Sequence, residues 1–108
     1  MKKLPEDFVY LKDMYEDAYF PEVLVDKLRD ILKEVVVFIE EGNRSQQEIQ
    51  DVLDETVTKI NELQEEFELN DSEIETVARE SIAQTVSEIL HYFRIDIDIE
   101  EALRERDW

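Results

Sequence analysis

A chain with one glycine and two prolines in 108 residues has few places where it can turn sharply. Between those punctuation marks apolar residues recur at three- and four-residue steps, the period of an amphipathic helix, and no segment alternates as a half-buried strand does. The expected fold class is therefore all-α: three long antiparallel helices in a bundle, with short N- and C-terminal helices, forming a single domain over residues 1–108. After Pro21, expected in a helix's first turn, Leu24, Leu28, Ile31, Val35 and Phe38 make one stripe, and Val25, Leu32, Val36 and Ile39 run beside it. So broad an apolar face marks a central helix. Gly42 supplies the left-handed residue that closes it, and Asn43 continues the turn.

Two capping boxes predict the next two starts. Ser45 with Glu48 precedes Ile49, Leu53, Thr56, Ile60, Leu63 and Phe67, and Ser72 with Glu75 opens a third helix carried by Ile74, Ala78, Ile82, Val86, Ile89 and Phe93. Pro5 to about Asp13 is expected as a short helix turning Phe8 and Leu11 to the core, and Asp98 as the cap of another through Ala102 and Leu103. In "MYEDAYFP", Met14 to Pro21, the proline biases Phe20 away from helical angles, which predicts an extended lead-in. Rings on such a segment need apolar surface to cover. Tyr15, Tyr19, Phe20 and Trp108 are accordingly expected to meet at one end of the bundle.

Thirty acids against twelve bases leave a formal charge of −18, which repels phosphate backbones and anionic lipid heads and argues against nucleic acid as a partner. The longest apolar run, Val35 to Ile39, has five residues where a membrane span needs about 20. Lys2 and Lys3 are followed by Pro5, Glu6 and Asp7 in place of an apolar segment, so no secretory leader is expected. Without cysteine there is no disulfide framework, and a cytoplasmic location is the expectation.

Three stretches, "MYEDAYFPEVLVDK", "INELQEEFELNDSEIETVARESIA" and "IEEALRERDW", resemble a bacterial family of small proteins of unknown function, domain-of-unknown-function family 5713. The likeness runs from Met14 to Trp108 and implies no activity, substrate or cofactor. The chain departs from the family in the turn after the third long helix, where "YFRIDID" stands without a glycine.

Several constellations carry candidate chemistry. Glu88 and His91 have the E-x-x-H spacing by which bundle proteins present two ligands to one metal, yet the chain has a single histidine. Glu62 and Glu65 match the first half of a magnesium motif of all-α nucleotide pyrophosphohydrolases, and the E-x-x-D that would complete it is missing. "DIDIEE" lacks the glycine of a calcium loop, and one glycine cannot build a phosphate-binding loop. No cofactor is expected.

Charge imbalance is the stronger signal. From Lys59 to Arg79 the acids Glu62, Glu65, Glu66, Glu68, Asp71, Glu73 and Glu75 occur with no intervening base. Arg79 shares a strip with Ala83, Val86 and Leu90, and Glu75 four residues earlier is placed to clamp it. The leading functional expectation is a non-enzymatic module binding a basic protein, as an inhibitor, immunity factor or adaptor. Its candidate surface comprises Tyr15, Asp17, Tyr19, Glu65, Glu66, Glu73, Glu75 and Arg79. A second reading is a divalent-metal hydrolase of a nucleotide-like substrate using Glu62, Glu65 and Glu88, with His91 as accessory ligand. A third is a homodimer whose broad stripes complete a four-helix core between copies.

Overall fold

The computed structural model describes residues 2–108 and is all-helical. Its elements are α1 (Lys12–Tyr15), α2 (Glu22–Glu40), α3 (Gln46–Leu69), α4 (Thr76–Tyr92) and α5 (Ile99–Ala102). Pro21 stands at the N-cap of α2, one residue before the expected first turn, and its carbonyl accepts the amides of Leu24 and Val25. The Ser45 box forms as expected: the serine hydroxyl accepts the Glu48 amide at 3.1 Å and the Glu48 carboxylate accepts the Ser45 amide at 3.0 Å. Every apolar position of the α3 stripe is buried, from Ile49 to Phe67, and Thr56 with them.

All three long helices end on a left-handed residue, but only one of those residues is glycine. Gly42 closes α2 at φ 81°, while Asp71 does so after α3 at φ 58° and Arg94 after α4 at φ 56°. The last two are complete Schellman turns. Ser72 N–H donates to Phe67 and Asp71 N–H to Glu68; Ile95 N–H donates to Leu90 and Arg94 N–H to His91. This geometry overturns the second expected capping box. The Ser72 amide is committed to α3, so residues 72–75 stay outside helix and α4 begins at Thr76, with Glu75 as its N-cap.

Ion pairs fix the direction of packing. Lys27 meets Glu66 at 2.6 Å and Lys59 meets Glu34 at 3.0 Å, a register that only an antiparallel α2/α3 hairpin satisfies. At the far end the segment before α1 ties α2 to α4. The Leu4 amide donates to Glu40 at 2.9 Å, Lys2 donates to the Tyr92 carbonyl and the Tyr92 hydroxyl to the Lys3 carbonyl. The C-terminal ends of α2 and α4 therefore lie together, and α4 runs antiparallel to α3.

α4 makes its close backbone approaches to α1 and α5 rather than to the hairpin. Between them the termini supply the filling: Leu11, Met14, Ala102 and Leu103 are at most 1% exposed. Each such leucine contributes roughly 1.5–3 kcal/mol through burial. The N-terminal strap differs from the expected helix over Pro5 to Asp13. Pro5 to Phe8 form a turn, and Leu11 takes left-handed angles (φ 52°, ψ 43°) that break any helix before Lys12. Its amide donates instead to Thr85 Oγ1, which passes a hydrogen bond on to the Ser81 carbonyl. Met14 to Phe20 are likewise a helix end followed by turns, not an extended lead-in. Asp98 occupies the N-cap of α5 without a side-chain hydrogen bond.

The tail after α5 follows α3. Gln50 donates to the Glu101 carbonyl, Asn61 to the Glu105 carbonyl, and Arg104 grips Asp54 through two hydrogen bonds of 3.1 and 2.7 Å. Burial acts to raise the Asp54 carboxyl, but hydrogen bonds from Arg104 and Gln50 outweigh it and hold the group below its usual value. A carboxyl depressed in the folded state stabilises fully above its unfolded pKa, and that contribution is lost as pH falls through the folded one. Arg104→Gln is therefore expected to lower the urea midpoint at neutral pH, with the difference from the parent shrinking as acid protonates Asp54 in the folded state. Parallel denaturation curves from neutral pH into acid check it.

Candidate functional site

The large apolar side chains left exposed are Val9, Tyr15, Tyr19, Val23, Val37 and Leu69, and they fall into two places. Tyr19, Val23 and Leu69 belong to the corner where α2 begins and α3 ends. The Lys27–Glu66 pair sets this register, because Val23 lies one turn before Lys27 and the end of α3 one turn after Glu66. Leu69, 78% exposed, stands in the segment that carries Glu65, Glu68, Asp71, Glu73 and Glu75. None of these acids has an ion-pair partner among the described residues.

Tyr19 joins the acidic turn to the core. Its ring meets Phe20 edge-on at 5.1 Å, and buried Phe20 meets Phe67 at 6.5 Å. Desolvation, then the charges of Glu73 and Glu75, push the Tyr19 phenol above its usual value, with the Ser72 hydroxyl opposing. Ser72 itself is 4% exposed and its Oγ has no hydrogen-bond partner. Asp17 shapes the turn that presents Tyr19: its carboxylate accepts the Tyr19 amide at 3.0 Å and its carbonyl accepts the Phe20 amide.

The other expected surface residues lie as follows. Glu66 is paired with Lys27 and Glu65 is exposed beside it on α3. Arg79 is exposed and donates to Thr76 Oγ1 at 3.1 Å, so the expected Glu75–Arg79 clamp does not form; with α4 starting at Thr76, Glu75 is a cap and Arg79 turns outward. Tyr15 lies on the flank of α2, where its hydroxyl donates to Asp26 at 2.6 Å. Desolvation and that hydrogen bond raise its phenol to about 12. The four rings expected together do not gather: only Tyr19 and Phe20 stack on each other, while Trp108 ends the tail beside the Arg106 guanidinium, 6.0 Å from its ring.

Tyr15 helps line the second place, a groove of about 620 Å³ between the strap and α2. Val9 of the strap and Val37 of α2 both line it, with Phe8 and Tyr10 edge-on at 4.9 Å on the strap side. Arg29 and Lys33 line its lower half and Glu40 and Glu6 its upper end. No single motif marks this groove in the sequence. The only signal is that Arg29, Lys33 and Val37 recur at four-residue steps on α2, outside its core stripe.

The two metal-like pairs remain apart. Glu88 and His91 are exposed near the end of α4, where Glu88 accepts a hydrogen bond from Gln84, and Glu62 and Glu65 are exposed on α3. Among the described residues no three acids or histidines converge as metal ligands. No helix of the described residues is long and apolar enough to cross a membrane.

At the corner, burial predicts a division of labour between adjacent rings. Phe20→Ala is expected to cost about 3–5 kcal/mol, and Tyr19→Ala well under half of that because its ring is 44% exposed. Urea titration of the two variants measures the difference.

A family model described as "Family of unknown function (DUF5713)" matches residues 4–108. No curated protein and no solved structure was found to match the chain.

Proposed function

The chain belongs to the DUF5713 family, and we propose that it acts without catalysis, by binding a basic protein through the corner of α2, α3 and the turn before α4. The observation that carries this reading is the coincidence at one corner of exposed apolar residues with unpaired acids. Tyr19, Val23 and Leu69 offer a partner apolar contact, and Glu65, Glu68, Asp71, Glu73 and Glu75 surround them with charge that has no ion-pair partner among the described residues. Part of that charge serves the fold, since Glu73 and Glu75 precede the positive end of α4. Asp71 closes α3, and Glu65 and Glu68 make no ion pair among the described residues. An apolar centre with a charged rim is the anatomy of a specific, electrostatically steered interface.

Interfaces steered by charge weaken as salt shortens the Debye length to about 10 Å at 0.1 M. A partner is therefore expected to be captured at low salt and released as salt rises. The double variant Glu73→Lys/Glu75→Lys is expected to lose capture while keeping its melting temperature, and Leu69→Asp to lose it at every salt concentration. Capture that is indifferent to both variants would refute the assignment of this corner.

A further inference from the structure

The groove between the strap and α2 combines properties found together nowhere else on the described surface. Three of the exposed large apolar residues line it, Val9, Tyr15 and Val37. Its volume of about 620 Å³ falls within the range of small-molecule sites. Its walls come from two separately held elements: α2, packed on α3, and the strap, pinned at Glu40 by Leu4 and at Thr85 by Leu11. The groove is thus formed before any ligand arrives.

Its charges are sorted along its length. Glu40 accepts the Leu4 amide at the upper end, where exposed Glu6 also stands. Lower down, Arg29 is held by Asp26 at 3.4 Å and Asp30 at 3.1 Å. Lys33 differs from all of these. In a chain with thirty acids, it has no carboxylate within ion-pair distance among the described residues, and its ammonium stands 5.8 Å from the centre of the Tyr10 ring. A cation leaning on an aromatic wall beside an apolar groove is a ready counter-charge for one anionic group.

We propose that this groove binds a small amphipathic carboxylate, its apolar body lying between Val9 and Val37 and its carboxylate against Lys33. The apolar body supplies most of the affinity, because the protein's overall charge of −18 opposes any anion at long range. Lys33 supplies the discrimination in favour of a charged head, and the acids at the upper end set its direction in the groove. This site lies on the strap side of α2 and does not depend on the corner proposed to bind protein.

Decanoate and decanol, titrated calorimetrically into the full chain, separate the two contributions, and amide and methyl chemical shifts locate them. Decanoate is expected to bind saturably at one site and to shift Val9, Tyr10 and Val37. Lys33→Glu is expected to weaken decanoate by about tenfold or more, the loss of one ionic contact, while leaving decanol unchanged. Val37→Asp is expected to weaken both. Lys33 and Val37 are exposed, so both variants should keep the parent melting temperature, and Lys33→Gln gives an intermediate loss that reports on charge alone. Absence of saturable decanoate binding, shifts that map elsewhere, or equal affinity in the parent and Lys33→Glu would overturn the proposal.

Discussion

The packing of α4 is the constraint on which the rest of this structure depends. The α2/α3 hairpin closes on itself through close backbone approach, while the α4 backbone comes nearest to α1 and α5 and sends Ala78, Ile82, Val86 and Leu90 into the core shared with α2 and α3. Leu11 and Met14 fill one seam and Ala102 and Leu103 the other, all of them sealed from solvent. The short helices act as spacers between the α4 backbone and the hairpin, and each must be fixed at both of its faces. That accounts for the concentration of long-range polar bonds in the termini: Leu4 on Glu40, Leu11 on Thr85, Gln50 on Glu101 and Arg104 on Asp54.

Electrostatics plays a different part. Most of the ion pairs are exposed on both sides, and such pairs contribute about 0–1 kcal/mol each. They select register more than they stabilise, as Lys27–Glu66 and Lys59–Glu34 do for the hairpin. The excess of acids that remains unpaired opposes compactness through self-repulsion, which the apolar core must offset. The surface charge is nonetheless uneven. Acids without partners collect around Tyr19 and Leu69, and unpaired Lys33 lines the groove that Val9 and Val37 also line.

Features legible in the sequence were those written in local chemistry. The Ser45–Glu48 box, the Ile49 to Phe67 stripe, Gly42 and the short helix before Leu103 all follow from spacing. Features that failed to show depend on unusual residues in left-handed turns. Asp71 and Arg94 occupy positions where glycine is the common choice, and Leu11 does so at the start of α1. Once Asp71 turns the chain, Ser72 can no longer cap, the start of α4 moves to Thr76, and Arg79 rotates away from Glu75 into solvent. A single backbone torsion thus separates the expected clamp from the observed surface. The groove was invisible for another reason. It is made by residues far apart in the chain, and neither Val9 nor Lys33 is exceptional until the strap lies beside α2.

The spacer role of the termini is open to direct measurement by native-state hydrogen exchange. In a Leu103→Ala variant, the account predicts that amides of α4 lose protection well before those of α2 and α3, because the hairpin's own contacts are untouched. Equal loss of protection across all three long helices would contradict it, and would mean that α4 depends on its core side chains more than on the short helices.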